Sequence, residues 1–207
     1  MAENYKTEQE SFWAGEFGDE YVARNRGEVL VASNLHLFSL MLARAMKIKS
    51  VLEVGANIGL NLRALERLLP EADLAAVEIN KNAVQELKDW GGAEVYHSSI
   101  FDFSSSRQWE FVFASGVLIH INPDMLPSVY NMMYKASNRY IGIVEYYNPT
   151  PVSIPYRGHD DRLFKRDFAG EMMDLFPDLK LIDYGFVYHR DSNFPMDDSN
   201  WFMLEKG

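Results

Sequence analysis

The chain has 207 residues, with 30 Asp and Glu against 20 Lys and Arg, and therefore a formal net charge of −10. Apolar residues make up 47% of it, which is enough for one packed domain and too much for a disordered chain. The negative charge argues against a protein that grips nucleic acid phosphates, and the absence of cysteine excludes disulfides, thiolate metal sites and cysteine nucleophiles.

The N-terminal residues 1–6 are polar and lack the apolar stretch of a secretion signal. Polar and charged side chains interrupt the most apolar long segment, residues 29–46. It falls short of the roughly 18 uninterrupted apolar residues that a membrane span needs. We therefore expect a cytoplasmic protein with no membrane insertion.

The N-terminal segment carries aromatic residues four apart, which would share one helix face, but two glycines argue against a single continuous helix. The aromatic residues are Trp13, Phe17 and Tyr21, and the glycines are Gly15 and Gly18. Apolar residues then recur at helical spacing over residues 33–46, which predicts an amphipathic helix capped by Ser33.

Strands and helices alternate from there on. The predicted strands are residues 50–54, 74–79, 94–97, 111–115, 139–146, 179–188 and 201–205. The predicted helices are residues 60–69, residues 80–90 with Asn80 as the cap and Gly91 as the end, residues 124–136 and residues 165–175. This order predicts an α/β fold with one doubly wound, mostly parallel seven-stranded sheet, helices on both faces and an antiparallel last strand.

The turn after the first strand, residues 53–59, holds the most informative pattern. Gly55 and Gly59 let the backbone turn tightly and approach a ligand closely. The spacing matches neither the Gly-x-Gly-x-x-Gly dinucleotide fingerprint nor a phosphate-binding loop. In such folds ligands bind at the carboxyl ends of the strands, so we expect a nucleotide-like ligand over this turn.

Two acidic residues indicate which ligand. Glu78 ends the second strand, where an acid suits the two hydroxyls of a ribose. Glu53 precedes the turn, where it would repel a pyrophosphate and attract an amino group. A ligand with an amino group, a ribose and no phosphate is S-adenosylmethionine.

Residues 50–146 resemble the class I S-adenosylmethionine-dependent methyltransferases. Asn57 stands where that family usually has the middle glycine of its loop, and Asn tolerates the left-handed conformation. An ordinary tight turn in another α/β protein is the alternative. The resemblance implies further cofactor contacts from Ile79, Ser99, Ile100, Ser115, Gly116, Tyr21 and Arg26, with Ser99 where the family places a group against the adenine amino group and S-adenosylhomocysteine as product.

Residues 8–26 and 145–168 resemble the methylases associated with pseudaminic acid biosynthesis, a likeness that spans nearly the whole chain. It implies a small sugar-like acceptor linked to nonulosonic acids or surface glycans. The predicted substrate residues lie in residues 146–164, which lack a clean period and are expected to form a loop at the ligand end of the sheet. They are Tyr146, Tyr156, Arg157, His159 and Arg162. The guanidinium groups of the two arginines suit a carboxylate. A solvated loop held by its own Asp–Arg pairs is the alternative.

His120, after the fourth strand, is the candidate general base, with Glu145 to orient it or to act instead. We predict no metal, no nucleic-acid partner and one domain. Within it, residues 1–48 would form an N-terminal cap and helix, residues 49–146 the cofactor-binding half, and residues 147–207 the substrate loop and terminal strands. A methyltransferase for a quinone or polyketide precursor and a non-catalytic S-adenosylmethionine-binding protein remain open, and no oligomeric state is predicted.

Overall fold

The computed structural model describes residues 5–207, apart from the side chains of residues 159–161. The helices are α1 (Glu8–Ala14), α2 (Glu16–Arg24), α3 (Glu28–Met41), α4 (Leu60–Leu68), α5 (Lys81–Trp90), α6 (Leu126–Ala136) and α7 (Phe168–Leu175). The strands are β1 (Ser50–Val54), β2 (Asp73–Glu78), β3 (Glu94–His97), β4 (Trp109–Ser115), β5 (Ser137–Glu145), β6 (Val152–Tyr156), β7 (His159–Lys165), β8 (Leu179–Val187) and β9 (Ser199–Lys206).

Seven strands form one sheet in the order β3-β2-β1-β4-β5-β9-β8. Strands β1 to β5 pair in parallel, and β9 runs antiparallel between β5 and β8. The predicted doubly wound sheet with an antiparallel last strand is confirmed. The direction of winding reverses between β1 and β4, so their carboxyl ends border the crevice where such folds bind ligands.

Alternating side chains of β4 show why the sheet is buried on both faces. Phe111 and Phe113 pack with α3 and α4 on one face, and the Phe113 ring lies 5.1 Å from that of Phe38. Val112 and Ala114 pack with α6 on the other face. A parallel strand that is covered on both faces has an almost unbroken apolar sequence, which is the pattern that predicts β4.

The predicted ends of α5 are confirmed. The Asn80 side chain accepts hydrogen bonds from the N–H groups of Asn82 and Ala83, and Gly91 ends the helix with a φ of 73°. Both groups satisfy helix ends that would otherwise lack partners.

The prediction for α3 is wrong at both ends. The helix begins at Glu28, after Gly27, and stops at Met41, so Ser33 lies inside it and does not cap it. The Ser33 hydroxyl is buried without a hydrogen-bond partner among the described residues. The helix extends to Glu28 because its N-terminal part also packs on α4 and the sheet, and this packing outweighs the local tendency of Ser33 to cap a helix.

The N-terminal segment forms two helices, as its glycines indicate. The break falls at Gly15, whereas Gly18 lies inside α2. A Cβ on Gly18 would stand 1.9 Å from the carbonyl oxygen of Trp13, so glycine lets α2 cross directly over the end of α1.

The expected loop over residues 146–164 is wrong, because β6 and β7 form an antiparallel hairpin there. Pro155 lies in β6, and the pairing register shifts between Ile154 and Tyr156, which destroys the strict alternation of a strand. Lys165 consequently belongs to β7, and α7 starts only after its cap, Asp167.

Of the helices in residues 5–207, none is both long and apolar enough to span a bilayer.

Candidate functional site

The carboxyl ends of β1 to β5 border a cavity of about 700 Å³, which α1 and α2 cover. We call these two helices the lid. The cavity brings most of the predicted site residues together, although they lie far apart in the sequence. They are Tyr21, Glu53, Gly55, Asn57, Glu78, Ile79, Ser99, Ile100, Ser115, Gly116, His120, Glu145, Tyr146, Tyr156 and Arg157.

The cavity lining does not include three described residues of the prediction. Gly59 instead packs under α5, Arg162 forms an ion pair with Glu8, and Arg26 forms a two-bond ion pair with Glu86. Arg24, the last residue of α2, lines the cavity in the place that we expected of Arg26. The fourth residue, His159, has a side chain outside the described part of the chain.

The turn after β1 has the left-handed conformation that its sequence predicts. Gly55 has a φ of 75°, Asn57 of 48° and Gly59 of 77°. A Cβ on Gly55 would stand 2.6 Å from Cγ2 of Val117. The turn is therefore packed against the segment after β4, and its backbone forms one wall of the cavity.

The Glu78 carboxylate holds the backbone of this wall through three hydrogen bonds. Its Oε2 accepts from the Asn57 N–H at 2.7 Å, and its Oε1 accepts from the N–H groups of Ile79 at 2.9 Å and Asn80 at 2.7 Å. Burial raises the pKa of the carboxyl, and these hydrogen bonds act in the opposite direction. A carboxylate has about four lone-pair sites, so Oε2 retains acceptor capacity towards the cavity.

Glu53 is 1% exposed and carries an unsatisfied oxygen. Its Oε1 accepts from Nδ2 of Asn61 at 2.6 Å, while Oε2 is buried without a partner among the described residues. Burial raises the pKa of this carboxyl well above its usual value. Because an unpaired buried acceptor is costly, this oxygen suits a ligand that brings an N–H donor.

His120 is held in one tautomer. Its Nδ1 lies 2.6 Å from the carbonyl oxygen of Arg162 on β7, and since a carbonyl only accepts, Nδ1 carries the hydrogen. The ring lies 4.7 Å from that of Trp13 and 5.1 Å from that of Tyr156. Burial lowers the pKa of His120 to about 4, so at neutral pH Nε2 is a free base.

Glu145, at the end of β5, is buried. Its Oε1 accepts from the N–H groups of Val117 at 2.9 Å and Leu118 at 2.8 Å, and Oε2 has no partner among the described residues. Burial raises its pKa to about 7. The residue therefore fixes the segment that leads to His120 and keeps a second, buried acceptor oxygen unpaired.

The side of the cavity next to the hairpin is aromatic and charged. The Arg157 guanidinium lies 5.8 Å from the centre of the Tyr156 ring, and Tyr21, Tyr146 and Asp197 complete this side. Burial, with Tyr156 and Asp197 nearby, raises the pKa of Tyr21 to about 12. Arg157 has a φ of 49°, a conformation that favours Asn or Gly.

The lining residues that sequence reasoning missed include Glu10, Arg24, Asn61 and Asp197. Thr7 and Glu10 form a capping box, which the spacing of a Thr and a Glu three residues later signals for a helix start. That signal locates α1 but gives no indication of the cavity, because only the tertiary fold sets the lid over the sheet.

No protein-family model matches this sequence, and a comparison with curated proteins finds no match either. Solved structures do match. Magnesium protoporphyrin IX methyltransferase (ChlM) from Synechocystis PCC 6803, solved with bound S-adenosylmethionine, is 10% identical, covers 99% of this chain and 100% of its own, and has a TM-score of 0.70.

Two other methyltransferases are also similar. The 1,6-didemethyltoxoflavin-N1-methyltransferase of Burkholderia thailandensis, solved with S-adenosylhomocysteine, is 12% identical over 96% of this chain and 86% of its own, with a TM-score of 0.68. The N-methyltransferase NodS of Bradyrhizobium japonicum WM9 is 14% identical over 91% of this chain and 95% of its own, with a TM-score of 0.66. The chain therefore has the Rossmann-like methyltransferase fold.

Proposed function

We propose that the protein is an S-adenosylmethionine-dependent methyltransferase that acts on a small molecule. The observation that carries this proposal is the pair of buried carboxylates on neighbouring strands, Glu53 on β1 and Glu78 on β2, on either side of the left-handed turn. The structural neighbours, which are methyltransferases solved with S-adenosylmethionine or S-adenosylhomocysteine, support the same function.

The residues fit the cofactor. Glu78 has acceptor capacity for ribose hydroxyls, and the unpartnered Oε2 of Glu53 suits the amino group of the methionine part. A phosphate would be repelled by either acid in its ionised form. When bound, the cofactor supplies an electrophilic methyl group on a sulfonium.

His120 is the general base in this proposal. Its neutral Nε2 takes a proton from the acceptor hydroxyl or amine, and its Nδ1–H keeps the ring oriented through the Arg162 carbonyl. Trp13 and Tyr156 pack against the ring, which is buried and so has little contact with water. Glu145 is the alternative base, since its raised pKa of about 7 lies nearer to neutrality than the pKa of about 4 of His120.

For the acceptor we propose a sugar-like or carboxylated metabolite, linked to nonulosonic (pseudaminic) acid or surface glycans. Arg157 in the lining suits a carboxylate, and Tyr146 and Tyr156 present faces and hydroxyls that suit a sugar ring. The same aromatic side chains favour a second candidate, a planar quinone- or polyketide-type acceptor.

The test is incubation of the protein with methyl-labelled S-adenosylmethionine and extracts of bacterial sugars or aromatic metabolites. We expect mass spectrometry to show one added methyl group on one acceptor class. His120→Gln, which cannot act as a base, should lower kcat by about 10²–10⁴-fold. Binding of the cofactor without any methylated product would leave only a cofactor-binding protein, and no binding at all would refute the proposal.

A further inference from the structure

We propose that Glu10, on the lid, reads the purine base of the cofactor by accepting a hydrogen bond from the adenine amino group. This inference rests on the proposed function. It assigns a binding role to a residue in α1, far in sequence from the sheet that forms the rest of the cofactor site.

Sheet order places the base. β2 lies between β1 and β3, so a ligand with its amino-acid end at Glu53 and its ribose at Glu78 extends towards the end of β3. The chain there is tied to Glu78, because the Ser98 N–H donates to the Glu78 carbonyl at 3.0 Å. Ser99, Ile100 and Phe101 then line the cavity and are the surface that the base meets.

The side chain of Ser99 is a weaker acceptor for an amino group than a carboxylate, and only one of its two lone pairs is left. Its hydroxyl donates to Oε1 of Glu10, and its oxygen already accepts from the Phe101 N–H at 3.0 Å. The strong acceptor at this end of the cavity is therefore Glu10, which is buried and also lines the cavity. Its Oε1 has a further lone pair for an amino N–H.

The lid holds Glu10 in this position from its own side. Oε2 accepts from the backbone N–H groups of Thr7 at 3.0 Å and Lys6 at 2.6 Å. The Lys6 ammonium reaches across to Asp102 at 2.5 Å, just beyond the Ser99 segment. The two oxygens of Glu10 thus have different roles. Oε2 caps α1, and Oε1 faces the base.

The division of tasks makes Glu10→Gln a sharp test. Gln preserves the capping box, because its amide oxygen can take the place of Oε2 against the two N–H donors. The amide NH₂ then replaces Oε1 and presents a donor to the cavity. A donor opposes the amino group of adenine and matches the carbonyl of hypoxanthine.

The experiment measures calorimetric affinities for S-adenosylhomocysteine and for S-inosylhomocysteine, in which a carbonyl replaces the amino group and the neighbouring N1 carries a hydrogen. The change at N1 is the same for every variant, so it cancels when the affinity ratios of the variants are compared. We expect Glu10→Gln to lower the ratio of the two affinities by about 10–100-fold, the size of one charge-assisted hydrogen bond. Glu8→Gln removes the same charge from the same helix outside the cavity and should leave the ratio unchanged. Ser99→Asp in the Glu10→Gln protein places a carboxylate at the base again and should restore much of the ratio.

The outcomes separate the two proposals. A wild-type protein that binds neither ligand would overturn the proposed function and this inference together. If it binds S-adenosylhomocysteine but Glu10→Gln weakens both ligands equally, or Glu8→Gln shifts the ratio as much, Glu10 only holds the lid and the cofactor assignment stands. Circular dichroism checks that each variant is folded.

Discussion

Nδ1 of His120 lies 2.6 Å from the carbonyl oxygen of Arg162, so the ring beside the cavity is oriented by the backbone of the β6–β7 hairpin. The hydrogen bond fixes which nitrogen faces the cavity, and burial keeps the ring neutral. The hairpin that contributes Arg157 to the cavity lining thus also sets the tautomer of His120.

This burial has a measurable effect on stability. The pKa of histidine is about 6.5 in an unfolded chain, whereas that of folded His120 is about 4. Between these values the unfolded chain binds a proton that the folded chain does not, so stability falls as the pH drops through this window. His120→Gln does not titrate and lacks this fall. From about pH 7.5 to about pH 5.5, the wild type should lose about 1 kcal/mol of unfolding free energy more than the variant in urea titrations.

Glu145 acts in the opposite direction. Its pKa is raised to about 7, so its folded form binds more protons and favours stability at low pH. Both proteins contain Glu145, and its contribution cancels in their difference. Equal losses in the two proteins would show that His120 is exposed and protonates normally.

Removal of the Glu78 side chain should affect both the turn and its ligand. Glu78→Ala leaves three backbone N–H groups without their acceptor and removes the acceptor proposed for the ribose. We expect S-adenosylhomocysteine affinity to fall at least about tenfold in calorimetry, with some loss of thermal stability. Glu71→Ala, which removes an exposed acid paired with Lys47, is the control and should change neither. Unchanged affinity in Glu78→Ala would place the ligand elsewhere.

Gly55→Ala should be costly for two separate reasons. The new Cβ would stand 2.6 Å from Val117 Cγ2, and the φ of 75° strains any side chain. Gly158→Ala has similar strain, with a φ of 84°, but open space around its Cβ. We expect a loss of about 1 kcal/mol for Gly158→Ala and of about 2–3 kcal/mol for Gly55→Ala in chemical unfolding, together with weaker cofactor binding only for the latter. Equal losses of unfolding free energy in both variants would mean that the Val117 side chain moves away from the new Cβ at no energetic cost.

Arg157 offers a substitution that separates stability from function. It and Gly158 form a two-residue hairpin turn with φ values of 49° and 84°, for which Asn-Gly is the favoured pair. Arg157→Asn should keep or slightly raise the melting temperature, while kcat/KM for an anionic acceptor falls by about 10–100-fold. Arg157→Lys should retain little of the wild-type kcat/KM, because the ammonium is a point charge and lacks the planar, two-pronged guanidinium that pairs with a carboxylate. Normal turnover by Arg157→Asn would show that the acceptor binds elsewhere.

The sheet could be predicted because its strands are apolar runs and because Asn80 and Gly91 terminate α5 by local chemistry. The turn after β1 could be predicted for the same reason, since a left-handed backbone demands Gly or Asn at particular positions. These features depend on neighbours in the sequence.

The hairpin and the packing of the lid could not be predicted from the residues, although the resemblance implied an N-terminal cap that contacts the cofactor. Pro155 and the register shift beside it hide the alternation of β6, and the positive φ of Arg157 gives no composition signal. Glu10 meets Ser99, and Arg162 meets His120, through contacts between segments far apart in the chain. Such contacts depend on how the hairpin and lid pack, which periodicity does not encode.

The hairpin and the lid also touch each other. Arg162 on β7 pairs with Glu8 on α1 at 3.0 Å and lies over the Phe12 ring, and the ring centres of Phe17 and Tyr156 are 6.0 Å apart. A ligand that steadies the lid therefore steadies the hairpin as well, and the reverse holds with the same free energy. Contacts of this kind contribute up to about 1 kcal/mol each, which limits the cooperativity between the first ligand to bind and the second to several-fold. Such reciprocity favours simultaneous occupancy of both halves of the cavity over occupancy of either half alone.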